Sequence, residues 1–138
     1  MKEANFQTKF GKWLKENWNS TAVFELKLEK GKSFAFDKVK EHQIKALRSA
    51  SEKGLYHKIN DLPVYNNSKT RFASQKPFDC FYIQSEYAYL VIGFYTPRKK
   101  IETLFIDIED FSKARSSTTK KSLKKEEWQK YARRVEVI

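Results

Sequence analysis

The stretch "AVFELKLEKGKSFAFDKVKEHQ", residues 22–43, frames the reading of the whole chain. In residues 22–29, Phe24, Leu26 and Leu28 alternate with Glu25, Lys27 and Glu29. A period of two is that of a β-strand, so Glu25 and Lys27 share one face of it. "KGKS" turns the chain, and Asp37 is placed to cap a helix over residues 38–52. Gly54 suits the end of that helix. Its apolar stripe is Val39, Ile44, Leu47 and Ala50, and Gln43 lies one turn from both Val39 and Leu47. An acid, an amine and an amide thus fall on faces where a core could use hydrocarbon.

Outward from this stretch, Phe6, Phe10, Trp13 and Leu14 recur at helical spacing and predict an amphipathic helix over residues 5–16. "LYHKIN" predicts a strand over residues 55–60, and the polar residues 61–76 a loop. "PFDCFYIQSEYAYLVIGFY" reads as two strands joined by a tight polar turn, a β-hairpin closed by Pro97 and the basic residues after it. "ETLFIDIEDF" reads as a fifth strand and "SKARSSTTKK" as a loop. Ser122 is placed to cap a last helix running to Arg133, anchored by Trp128 and Tyr131. There are no internal repeats. The order predicts an α+β fold, an α/β sandwich with a mixed sheet of about five strands flanked by helices.

A chain of 138 residues, 40% hydrophobic and 15% aromatic, is one domain over residues 1–138 with enough apolar surface for a core, which argues against global disorder. It has no apolar run of membrane length, and its N-terminal residues have no signal-peptide apolar region, so a cytoplasmic protein without a membrane partner is expected. The single cysteine, Cys80, excludes an internal disulfide and a cysteine-based zinc site, and on a strand it is expected to be a small buried hydrophobe. There is no glycine-rich phosphate loop and no Ser-His-Asp arrangement, and no small-molecule cofactor is expected. His42 and His57 are too few and too far apart for a metal pair and read as surface or structural residues.

The formal net charge is +11 and the pI about 9.7, a balance that favours a polyanionic partner, most often nucleic acid. Residues 112–138 hold nine Lys and Arg against three Glu, a basic C-terminal segment that is either a solvated tail or a grip on phosphates.

Strand alternation puts Asp79 on one face with Phe81 and Ile83, where an unpaired acid costs several kcal/mol of desolvation. If the faces of Glu25, Lys27, Gln43 and Asp79 coincide, they share one pocket. Two carboxylates with a backbone carbonyl can hold Mg²⁺ or Mn²⁺. A nearby Lys can orient water or stabilise a developing oxyanion, and the amide of Gln43 can position the water. That is the chemistry of a metal-dependent phosphodiesterase. An E-x-K triplet alone is common by chance, and on an edge strand it reads as a solvated face.

The combination resembles a known family. "FELKLEKGKSFAFDKVKEHQIKAL" is similar to the Holliday-junction resolvases of the RecU type, within the PD-(D/E)XK nuclease superfamily. There an E-x-K strand is followed by a Lys-rich, Phe-containing loop and a helix opening with a His-Gln pair. Here these are Glu25-Leu26-Lys27 and His42-Gln43, over about 25 residues. "KPFDCF" resembles that superfamily's Pro-Asp strand, with Asp79 as the metal-binding acid. In the superfamily the Asp strand precedes the E-x-K strand, whereas Asp79 follows Lys27, so either the site is rearranged or Asp79 is structural, and a rearranged site fits the resemblance better. Asp61 is the reserve carboxylate, and Glu3 or Glu16 would supply the acid that members often add from a first helix.

The resemblance implies a restriction-endonuclease-like core and a Mg²⁺-dependent DNA endonuclease, with branched, four-way DNA as a candidate substrate. Glu25 and Asp79 would bind metal, Lys27 would assist the water and Gln43 would position it. Lys38, Lys40, Lys45 and Arg48 on the second helix, with Lys120, Lys121, Lys124 and Lys125, would grip phosphates. A resolvase makes two cuts and would be a homodimer. The alternative is a non-catalytic basic nucleic-acid-binding module on a decayed nuclease fold.

Overall fold

A computed structural model describes residues 1–59 and 78–138 of the chain. The expected loop over 61–76 and the reserve acid Asp61 lie outside these described residues. The fold is mixed α and β, built on a four-stranded mixed sheet.

The central strand is β5 (Ala88–Phe94), every residue of which is buried. It pairs in parallel with β1 (Val23–Glu29) and antiparallel with β6 (Glu102–Asp107), and β6 pairs antiparallel with β8 (Arg134–Val137). The order is therefore β1-β5-β6-β8, with β1 at one edge. A continuous apolar run in β5 is what burial on both faces requires.

Helix α1 (Glu3–Asn17) covers one face, packing Phe6 and Phe10 onto Val91, Phe105 and the even residues Phe24, Leu26 and Leu28 of β1. Gly93 makes this possible: a Cβ there would sit 2.7 Å from the Phe6 ring. The other face is covered by α2 (Glu41–Lys53), α3 (Ile108–Ser116) and the short α4 (Lys125–Gln129). Trp128 is its anchor. It is fully buried, its Nε1 donates to the Phe34 carbonyl at 3.2 Å, and its ring stacks on Phe111.

Two small sheets complete the fold of the described residues. One pairs β2 (Ser33–Ala35) with β7 (Ser122–Lys124); the other pairs β3 (Leu55–Lys58) with β4 (Cys80–Ile83), both antiparallel. Hence the sequence-predicted hairpin of residues 77–95 does not form. Its first strand pairs back to β3, and its second joins the main sheet between β1 and β6. The central sheet has four strands, not five, because β3 and β4 leave it and the unexpected β8 joins it.

Three further expectations are corrected. Asp37 lies in a 3-10 turn (Phe36–Lys38), and the N-cap of α2 is Lys40. The fifth strand stops at Asp107, whose carboxylate accepts from the Glu109 backbone N–H at 3.0 Å and caps α3, so the first half of the expected loop is helix. Ser122 opens a strand rather than the last helix, and residues 134–137 form an unexpected strand. The basic segment 112–138 is thus woven into the fold: Arg133 N–H bonds Phe105 carbonyl at 2.9 Å and Ile138 pairs with Ile101. Cys80 is exposed because its strand stands outside the main sheet. Among the described residues no helix is long and apolar enough to cross a membrane.

Candidate active site

The odd residues of β1 face α2. Glu25 pairs in register with Leu90 and Lys27 with Ile92, so both emerge over the apolar surface of β5. Glu25 is 29% exposed and Lys27 17% exposed, and Lys27 Nζ lies 3.2 Å from Glu25 Oε1. The same oxygen accepts from Gln43 Nε2 at 2.8 Å. Three of the four sequence-predicted site residues therefore converge on one carboxylate oxygen.

Gln43 is held at both ends of its amide. Its Oε1 accepts from the Lys40 backbone N–H at 3.0 Å, satisfying one of the donors that open α2. The cap fixes the side chain, and the fixed side chain aims Nε2 at Glu25. One Nε2 proton remains for another acceptor. Among the described residues Glu25 Oε2 takes no hydrogen bond, so it is open to a ligand.

Glu25 and Gln43 line a cleft of about 370 Å³ between β1 and α2, with His42, Ala46 and Leu47 on its helix wall and Leu55 of β3 at its end. His42 is exposed there, in keeping with a surface residue, and it also lines the cleft, which its sequence position alone did not show. The one hint was its place one residue before Gln43 at the first turn of α2.

Asp79 is placed differently. It is exposed, not turned inward with Phe81 and Ile83, and Phe81 itself is 36% exposed. Its backbone carbonyl accepts from Ile59 N–H at 2.8 Å, at the end of the β3–β4 ladder away from Leu55. Leu55 to Ile59 is four strand steps, about 13 Å. Its charge acts on Tyr56, whose phenol is raised above its ordinary value chiefly by a hydrogen bond with Cys80. None of the described contacts joins Asp79 to Glu25. Glu3 and Glu16 are exposed on α1, across the sheet from the Glu25 face.

The part played by Glu29, the last odd residue of β1, was not anticipated. It is 7% exposed, its Oε1 accepts from Gly31 N–H at 2.9 Å, and its Oε2 is paired with Lys38. Lys38 is thereby tied to a buried acid. Most of the other expected phosphate contacts are likewise engaged. Arg48 bonds Ser112 and lies 3.6 Å from Glu109; Lys120 lies 3.6 Å from Glu127 and Lys125 2.8 Å from Glu102. Lys40 bonds the Asp37 carbonyl, while Lys45, Lys121 and Lys124 are exposed. Arg133 bonds Asp110 at 3.0 Å, which raises its already high pKa.

A divalent metal fits the donor set in part. Among the described residues no three His, Cys, Asp or Glu side chains are grouped to hold one. Glu25 nevertheless offers an open carboxylate oxygen, and Mg²⁺ is commonly held by one or two carboxylates completed by water and substrate phosphate. Comparison with known proteins gave no match: no family model, no curated protein and no solved structure matches the chain.

Proposed function

We propose that the chain is a small Mg²⁺-dependent endonuclease acting on DNA, on a core of the restriction-endonuclease kind. One observation carries the reading: Glu25 Oε1 receives both Lys27 Nζ and Gln43 Nε2 on the wall of an open cleft. A strand acid with a Lys two residues on, clamped by an amide from a capped helix, is more than a solvated edge requires.

In this account Glu25 is the metal-binding carboxylate. The metal, when bound, would supply an activated water and offset charge on the phosphate. Lys27 is mostly buried, so its ammonium acts in a low-dielectric setting where it stabilises the charge that grows on a phosphate oxygen as water attacks phosphorus. Gln43 serves first to orient Glu25 and offers its remaining N–H to the substrate. Asp79 and Asp61 are the candidates for a second carboxylate.

The test is cleavage of linear duplex, single-stranded and four-way DNA, with Mg²⁺ and with a chelator, by the wild type and by Asp79→Asn and Asp61→Asn. Mg²⁺-dependent cutting supports the reading, and the variant that loses it names the second ligand. A second reading is favoured by the lack of a second carboxylate on the cleft among the described residues. It is a binding module without catalysis, which predicts salt-sensitive DNA binding and no cutting by any form.

A further inference from the structure

Four cations outside the expected set also stand without an acid among the described residues. A second cleft, of about 500 Å³, lies where the parallel strands β1 and β5 end. The turn after β1 brings Lys30 and Lys32 to it, and the turn after β5 brings Lys99 and Lys100. All four are exposed, and among the described residues none has an ion-pair partner. The two acids on its wall do not offset them: Glu102 is taken by Lys125 at 2.8 Å, which leaves Glu126 against four ammonium groups. Like charges gathered around one cleft repel, an arrangement that an anion relieves.

The cleft is also built to hold its shape. Tyr95 N–H bonds the Glu29 carbonyl at 2.8 Å, locking the two turns together, and Lys125 N–H bonds the Lys32 carbonyl at 3.0 Å. In the second turn Lys99 N–H bonds the Thr96 carbonyl at 3.1 Å, with Pro97 second and Arg98 third. Arg98 has φ 64°, the left-handed value that a type II turn assigns to Gly or Asn. A strained basic residue in a basic turn is an outlier that motivates a functional hypothesis.

We propose that these two turns form a cradle for the phosphate backbone of duplex DNA, apart from the Glu25 cleft. The inference rests on the nucleic-acid reading of that site. From Glu25 to Lys30 is five strand steps, about 17 Å. That is the rise of about five base pairs, so the cradle would meet a duplex lying along β1 about half a helical turn from the cut.

The test is the salt dependence of binding to a duplex DNA of two helical turns, by fluorescence anisotropy in chelator and in a Glu25→Gln background, so that nothing is cut. Replacing Lys30, Lys32, Lys99 and Lys100 by Gln should flatten the slope of log K against log salt by about 3–4 units. Replacing Lys2 at the N-cap of α1 and Lys9, Lys12 and Lys15 on the helix, an equal charge, should flatten it by less than about 1 unit. An unchanged slope for the first variant, or equal flattening by both, overturns the cradle. So does displacement of the duplex by inorganic phosphate at matched ionic strength, which marks a small-anion pocket. Arg98→Gly should raise Tm by relaxing the turn yet flatten the slope by about 1 unit; a slope unchanged by it counts against the cradle. If the slope falls as expected while the wild type cuts no DNA in Mg²⁺, the cradle stands and the nuclease reading fails.

Discussion

Gln43 Nε2 lies 2.8 Å from Glu25 Oε1, and the other end of the same amide caps α2 through the Lys40 N–H. One side chain therefore joins the start of a helix to an acid on the edge strand of the sheet. Gln43→Ala removes both contacts. Net hydrogen bonds contribute about 0.5–1.5 kcal/mol each, so the variant should lose about 1–3 kcal/mol of stability, measured by urea unfolding. Its cleavage should fall further than that loss explains, because Glu25 is no longer aimed. Full activity in a destabilised Gln43→Ala protein would mean that the amide is a cap and nothing else.

Lys27→Ala separates binding from turnover. The ammonium acts where charge develops, so its loss should lower the cleavage rate by roughly 10²-fold or more while DNA affinity is nearly kept. Single-turnover rates beside equilibrium binding measure the two. A variant that cuts normally reduces Lys27 to a partner of Glu25.

Lys38 tests the reassignment of a cation from substrate to structure. Removing it leaves the buried Glu29 carboxylate with only the Gly31 N–H. Lys38→Ala should therefore destabilise the protein by about 1–3 kcal/mol, the cost of an unsatisfied buried group, and leave the salt slope of DNA binding unchanged, where loss of one phosphate contact would flatten it by about 0.9. A stable variant with a flattened slope would restore Lys38 to the DNA surface.

The sequence was most legible where one period ran unbroken. Helix α1, strand β1 and the stripe Ile44, Leu47 and Ala50 of α2 follow directly from spacing, and so does the inward position of Glu25, Lys27 and Gln43. Pairing was not legible. A strand followed by a polar turn and another strand predicts a hairpin, but nothing local in residues 80–94 says that Cys80–Ile83 prefers Leu55–Lys58. That error turned Asp79 inward, since its face was inferred from a sheet it does not join. Helix α3 was hidden because the chain passes from strand to helix at Asp107 with no Gly or Pro to mark it. The basic end looked like a tail because its charges were counted without their acids, among them Glu41, Glu102 and Asp110.

Gly93 carries a prediction for the fold alone. A methyl group there would lie 2.7 Å from the Phe6 ring and 3.0 Å from Ile101, and both neighbours are buried. Gly93→Ala should cost about 1–3 kcal/mol by overpacking, read from the shift of the urea midpoint. A neutral change would mean that α1 can lift from the sheet without penalty.

The most direct measurement of the central claim is Mg²⁺-dependent DNA cleavage by Glu25→Gln beside the wild type, with Mn²⁺ binding followed on the same two proteins. Glutamine keeps the size of the side chain and can still hydrogen-bond Gln43, but it lacks the charge that a divalent cation needs. The account predicts cutting and metal binding by the wild type and loss of both in the variant. Cutting or metal binding that survives unchanged in Glu25→Gln would contradict it.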